Sequence, residues 1–506
     1  MIIDSETTVT ACVVDQGEPS LFEKSAPGAC AVTLGASAVP SVDPASSIPA
    51  HLLADEAPPL PEMAELCLVR HFTRLAHRAF SIDTNFYPLG SCTMKYNPRL
   101  NERVAAMPAF ANLHPYQPID QVQGMLELLY TLREFLQEIS GLAEVSLHPA
   151  AGAHGEMSSL MMITAYHRDR GEKRPNVLVP DTAHGTNPAS CAMCARHTHT
   201  VSSCKDGKVD LDDLRGKVDE QTAALMITNP NTVGVFDDQI GDIAEILHKH
   251  GALLYLDGAN MNAMLGITRP GDFGVDVMHF NTHKTFSTPH GGGGPGAGPI
   301  AVIEKLAPFL PVPQVVRKSD GTFDLAEDRP KSIGKVRAFI GQIGVLVRCY
   351  TYIRSLGAEG LRTVSEKAVL SANYLAARLE PHYEFPVPGP YAHEFVMVPK
   401  AGDAGVTETD FAKRLIDFGF HPPTMSWPIP NCLMIEPTET ESLRTLNRFA
   451  DTMIKIAVEA RETPDVLKNA PHNAKVSRLD EVTAARKPNV RWTLEKEKRE
   501  KRKEKK

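Results

Sequence analysis

A succession of short apolar runs, each separated from the next by a helical or polar connection, most narrows what this chain can fold into. Val177-Leu178-Val179, Ala223 to Ile227, Leu253 to Leu256, Val275 to Phe280 and Ile300 to Ile303 all have strand length. Between two of them, residues 240–250 carry Ile243, Ile246 and Leu247 at helical spacing. Apolar strands without polar alternation need cover on both faces, and interleaved helices supply it. The pattern therefore predicts an α/β fold with a mainly parallel central sheet. Such sheets bind ligands beyond the carboxyl ends of their strands, which draws attention to the residues that follow each run.

After the fourth run comes Asn281-Thr282-His283-Lys284-Thr285-Phe286, then Ser287-Thr288-Pro289-His290 and a glycine-rich stretch to Gly298. A lysine there, beside a loop whose backbone can approach a bound group closely, is placed as a Schiff-base lysine would be. It is equally the position of a surface lysine after a strand. Asp257 ends the third run and precedes Gly258-Ala259-Asn260. Its carboxylate suits the protonated nitrogen of a pyridine ring, or a plain helix cap. His184 follows the first run and could stack on such a ring or stay a hydrogen-bonded loop histidine. Gly152-Ala153-His154 precede a helix expected to begin near Met157, where free amides suit a phosphate, or form an ordinary turn. His283 and His154 could each orient a proton or an anion. The order phosphate loop, ring-stacking residue, acid and lysine makes pyridoxal 5'-phosphate the expected cofactor.

The rest of the chain frames this region. Residues 1–60 are rich in Ala, Ser and Pro and read as an extension, 61–140 as a helical arm with helices over 65–78 and 124–140, and 141–330 as the large domain. A connecting helix is expected over 335–356 within a 331–356 linker. A smaller C-terminal α+β domain follows over 357–480, with strands at 383–387, 394–398 and 433–435 and helices at 364–379, 408–418 and 441–461. The tail, 481–506, ends in a run from 495 with eight Lys or Arg against four Glu. The net charge of −8 in 506 residues gives no general signal for nucleic acid. Nine cysteines are too few for a disulfide scaffold, Cys191 and Cys194 read as buried thiols, and no metal centre is expected. Without an apolar stretch of membrane-spanning length, and with Asp4 and Glu6 near the start, a cytoplasmic protein is expected.

Several longer words carry a resemblance to a known family: Phe86 to Pro98, Pro149 to Glu156, Asp181 to Pro188, Asn281 to Gly298 and Met434 to Glu439. From about residue 62 to Trp492 the chain resembles the P-protein of the glycine cleavage system, glycine dehydrogenase (decarboxylating), and in particular its bacterial subunit 2. The resemblance implies a fold-type I pyridoxal-phosphate enzyme. In it Lys284 matches the Schiff-base lysine, Asp257 and His184 the ring-nitrogen and ring-stacking positions, and Gly152, Ala153 and His154 the cofactor-side loop. Thr282, beside the lysine, is counted with the cofactor-binding residues, although an apolar residue usually stands there in the family word. Family members decarboxylate glycine and pass the aminomethyl group to the lipoyl arm of H-protein, releasing carbon dioxide. Subunit 2 works there with a homologous subunit 1, usually as a heterotetramer. Two other readings stand beside this one: another pyridoxal-phosphate enzyme, such as an aminotransferase or a desulfurase using Cys92 or Cys349, and a noncatalytic scaffold for a second subunit.

Overall fold

The computed structural model describes residues 18–56, 58–291, 296–400 and 405–491. Asp4 and Glu6, the centre of the glycine-rich loop at 292–295, Trp492 and the charged run from 495 lie outside the described residues. The chain divides into two units, residues 81–478 and the two terminal stretches 1–80 and 479–506. In the terminal unit the helix Glu65–Ala76 forms where its three-residue apolar spacing predicts one. His71 and Arg74 of that helix, together with Lys24, converge on the carboxylate of Glu18.

The unit 81–478 is built on a seven-stranded sheet: β1 (Glu144–Ser146), β2 (Asn176–Pro180), β3 (His197–Val201), β4 (Thr222–Thr228), β5 (Leu253–Gly258), β6 (Val277–Phe280) and β7 (Ile300–Val302). Their order across the sheet is β1-β7-β6-β5-β4-β2-β3. Strands β6, β5, β4, β2 and β3 are mutually parallel, whereas β7 runs antiparallel to both its neighbours. Alternate residues feed two cores. Leu225 and Ile227 of β4 and Leu254 and Leu256 of β5 enter one, and Ala224, Met226, Leu253 and Tyr255 enter the other. Helices α1 (Gln123–Ser140) and α5 (Ile240–Lys249) cover the first face through Leu129, Leu132, Ile243 and Leu247. Helix α2 (Gly152–Asp169) covers the second through Leu160, Met162 and Ile163. The remaining helices between strands are α3 (Thr186–Met193) and α4 (Leu211–Lys217).

Helix α1 stops where Gly141 takes a left-handed conformation, φ 69°, as its glycine predicts. Helix α2 starts at Gly152, five residues before the expected start at Met157, so Gly152, Ala153 and His154 form a first turn and not a preceding loop. The cause is close packing: a Cβ on Gly152 would lie 1.9 Å from Asn281 Oδ1, so glycine alone lets this helix end reach the lysine loop.

The expected connecting helix begins at Ile343 and not at Lys335, and it meets the next helix at Gly357 (φ 63°, ψ −175°) to give the kinked α6 (Ile343–Leu379). Beyond it a four-stranded antiparallel sheet orders Tyr383–Glu384, Phe395–Pro399, Leu433–Ile435 and Thr424–Met425. Helices α7 (Glu408–Asp417) and α8 (Leu443–Glu462) pack on it through Phe411, Leu415, Phe449 and Met453. This is the smaller α+β part expected from the sequence. The segment before α1 docks on it as well. Leu89 bridges Ile435 and the Gly90 N–H donates to the Met434 carbonyl at 3.2 Å.

Candidate active site

Because five neighbouring strands are parallel, their carboxyl ends share one edge of the sheet, and a cavity of about 110 Å³ opens there. Its wall includes His184 after β2, Thr228 at the end of β4 and Pro230 after it, Asp257 at the end of β5 and Lys284 after β6. Ala153 of the first turn of α2 closes one side, and Ser91, His393 and Glu394 close another. Three of the residues expected to do chemistry, Lys284, Asp257 and His184, are thus brought together by the sheet's direction alone.

Asp257 is buried, and its carboxylate accepts the Asn187 side-chain N–H at 3.0 Å and the Ala259 backbone N–H at 3.1 Å. His279 Nε2 lies 3.5 Å from its other side, and the same ring meets the Tyr255 hydroxyl through Nδ1. Burial alone would push this carboxyl up. The His279 ring, the Asn187 hydrogen bond and the Lys284 charge outweigh it and hold Asp257 below the usual carboxylate range. Asn187 also donates to Glu156 of α2, at 3.1 Å, and Glu156 accepts from the Thr186 hydroxyl at 2.7 Å. Burial, and then the Asp257 charge, push Glu156 up. Two buried acids joined through one amide are therefore driven apart in acidity, Asp257 being the stronger acid.

His184 is anchored through its Nδ1, which lies 2.8 Å from the Thr186 hydroxyl oxygen and 3.2 Å from the Thr186 backbone nitrogen. Burial, then the Lys284 charge, push its imidazole down, so it is neutral. Lys284 is buried, and among the described residues no hydrogen-bond or ion-pair partner meets its Nζ. His283 turns its ring to His290, 5.1 Å away and edge-on, and is pushed down to about 3 by burial and then by Lys284 and His290. Thr282 is buried, with its hydroxyl donating to the Ala297 carbonyl at 3.2 Å. His154 accepts the Ala150 N–H at 3.1 Å through Nδ1. None of His283, Thr282, His154 and Gly152 is among the residues lining the cavity.

Sequence reasoning left a second group without an assignment. His393 and Glu394 enter the small sheet, Glu436 leaves it, and single ligand atoms of the three lie within 4.8 Å of one another. The Ser91 N–H donates to Glu394 at 2.6 Å, while Thr93, Asn260 and Asn262 all donate to Glu436. Glu436 ends the apolar run Leu433-Met434-Ile435 and Glu394 precedes Phe395-Val396-Met397. A carboxylate at the end of an apolar strand was the available signal, the same one that marked Asp257. Cys92 Sγ lies 3.1 Å from His290 Nε2, and burial pushes both this thiol and the fully buried Cys349 up, so neither is a reactive thiolate.

These groups fit pyridoxal phosphate. Asp257 stays ionised beside a cavity, Lys284 offers an unpartnered amine, and α2 begins without a side-chain cap at Ala151, leaving its first amides for an anion.

The model of the glycine cleavage system P-protein matches residues 32–326, and that of the glycine dehydrogenase C-terminal domain matches residues 364–476. The chain belongs to the glycine cleavage P-protein family. A probable glycine dehydrogenase (decarboxylating) subunit 2 of Halalkalibacterium halodurans is 54% identical over 484 residues, 95% of this chain and 99% of that one. One of the same description from Chlorobium chlorochromatii is 54% identical over 476 residues, 93% and 98% of the two chains. Among solved structures, a glycine decarboxylase (P-protein) in inhibitor-bound form superposes with a TM-score of 0.68 at 23% identity, over 81% of this chain and 94% of that one. A cysteine desulfurase from Thermococcus onnurineus does so with 0.59 at 15% identity, over 74% and 95%. At such identities the likeness concerns the fold, and it is the fold-type I architecture expected from the sequence. Among the described residues of this P-protein family member, no helix is long and apolar enough to cross a membrane.

Proposed function

We propose that this chain is the lysine-bearing subunit of a glycine decarboxylase, which removes carbon dioxide from glycine and passes the aminomethyl group to the lipoyl arm of H-protein. The observation that carries this is the buried, unpartnered Lys284 amine in one cavity with an ionised Asp257. Pyridoxal phosphate, when bound, supplies an electron sink for the pair left on carbon as carbon dioxide departs. Lys284 would hold the cofactor through its amine. Asp257 keeps a proton on the ring nitrogen, and its partners Asn187 and His279 fix its orientation. His184, neutral and anchored through Nδ1, would offer its ring to the cofactor from the cavity wall. Ala153, in the uncapped first turn of α2 that Gly152 opens, would present its amide to the phosphate, and Thr282 and His154 hold the loops that frame it. His283 stays neutral beside the lysine and holds its loop against His290.

The relatives' description as subunit 2 supports a partner subunit. We assign that partner to a homologous subunit 1, the assembly to a heterotetramer, and the compartment to the cytoplasm. The lipoyl arm must reach a walled cavity, because a reactive one-carbon fragment released into water is lost. Glycine-dependent exchange of carbon dioxide, measured for the purified chain alone and then with subunit 1 and lipoylated H-protein, tests the assignment. Restoration by the added proteins is expected. Full exchange by the isolated chain would remove the partner requirement, and no exchange in either case would overturn the activity.

A further inference from the structure

The two carboxyls Glu394 and Glu436 are buried and face each other across a few ångströms. Two such groups do not both ionise without a cation between them, so one proton is shared, and the hydrogen bonds decide who holds it. Glu436 accepts from three side chains, the Thr93 hydroxyl at 2.7 Å, Asn260 at 2.9 Å and Asn262 at 3.1 Å, all of which stabilise the anion. Glu394 accepts from the Ser91 N–H, and beside it stands the His393 ring, 3.8 Å away. Glu394 lines the cavity with Lys284, while Glu436 is not among the lining residues. Burial pushes Glu436 up as well, but its three side-chain donors favour its anion, so the acid with fewer donors, Glu394, is the one that faces the cavity.

That arrangement bears on the substrate. Among the described residues lining the cavity, Lys284 is the one cationic side chain, and it is committed to the cofactor in the reading given above, on which this inference rests. The carboxylate of an amino acid entering the cavity thus meets neutral donors. His393 Nδ1, on a side chain 2% exposed, has no partner among the described residues, and burial holds that ring neutral. We propose that Glu394 is kept as a neutral acid in order to donate its O–H to the carboxylate of the α-amino acid substrate, with His393 as a second donor. An ionised Glu394 would repel that carboxylate instead. The partnership is suited to decarboxylation, because neutral donors orient the leaving carboxylate without the fixed cation that would hold its charge in place.

Burial and then the Glu436 charge push Glu394 up to about 8, against the pull of the Ser91 N–H and Lys284. The titratable groups facing it are Glu436, His393, Lys284 and Cys92. The test uses the cofactor-loaded complex and compares the affinities of glycine and methylamine as pH rises from neutral. Over the pH range in which both amines remain mainly protonated, their ratio cancels the titration of the amine and isolates the carboxylate. In the wild type the ratio should fall about tenfold per pH unit above about 8. Glu394→Gln, neutral at every pH and still a donor, should keep the neutral-pH ratio and lose the pH dependence. Glu394→Ala should lower the ratio at least about tenfold at neutral pH. A carboxylic-acid carbonyl band in the wild-type minus Glu394→Gln infrared difference spectrum of the cofactor-free chain, from which the band of any other buried acid such as Glu156 is subtracted, reads the Glu394 proton without any turnover. A pH-independent wild-type ratio, an unchanged slope in Glu394→Gln, or a wild-type minus Glu394→Gln difference spectrum without a carboxylic-acid carbonyl band would overturn the proposal. Failure of the activity itself would show separately, as absence of the cofactor from Lys284.

Discussion

Lys95 and Lys284 are both buried, yet the protein treats them in opposite ways. Lys95 donates to Glu439 at 2.7 Å and to the Tyr352 hydroxyl at 3.1 Å, and although burial works against its charge, these two partners hold its ammonium above the ordinary lysine range. Lys284 faces a cavity, and among the described residues its Nζ has no partner. A buried cation with a carboxylate is part of the framework. A buried amine that nothing satisfies is available for a bond, since no ion pair must be broken first.

The comparison breaks if the two lysines can exchange roles. Lys284→Ala should lower glycine-dependent exchange by at least about 10⁴-fold, with little change in the urea midpoint, because a covalent group is lost and no partner is stranded. Lys95→Met should do the reverse. It strands Glu439 in the interior and should cost about 3–5 kcal/mol in urea unfolding, with cofactor content per folded molecule unchanged. Asp257→Asn sharpens the chemical side: removing the negative charge beside the ring nitrogen should lower exchange about 10²–10³-fold while glycine still binds. The smallest change belongs to His184→Ala, which should weaken cofactor retention about tenfold, read by the cofactor's absorbance after dialysis.

Stability against pH gives an independent check on the buried acids. Glu394 has an ordinary value of 4.5 and is pushed up to about 8 in the fold. The folded state therefore holds the extra proton between these values. The resulting stabilisation is complete below about pH 4.5 and is lost as pH rises through about 8. Urea midpoints of the wild type should fall over that window relative to those of Glu394→Gln.

Sheet and site were legible to different depths. Strands β4, β5 and β6 are buried on both faces and announce themselves as apolar runs, so Asp257 and Lys284 could be placed at their ends from sequence. Strand β3, His197-Thr198-His199-Thr200-Val201, is an edge strand exposed except for Val201, and carries no apolar signature to read. The early start of α2 depends on Gly152 meeting Asn281, a contact between segments far apart in the chain. The same holds for Glu394 and Glu436. Their role depends on Ser91 and Thr93 being delivered by the Leu89 to Ile435 bridge, and no local pattern encodes that meeting.

Borohydride reduction of the cofactor-loaded protein, followed by peptide mass analysis, tests the difference between the two lysines most directly. The cofactor's mass should appear on the peptide carrying Lys284, with Lys95 unmodified. A label on Lys95, or a reduced protein with no label on either, would contradict the assignment of Lys284 as the reactive amine.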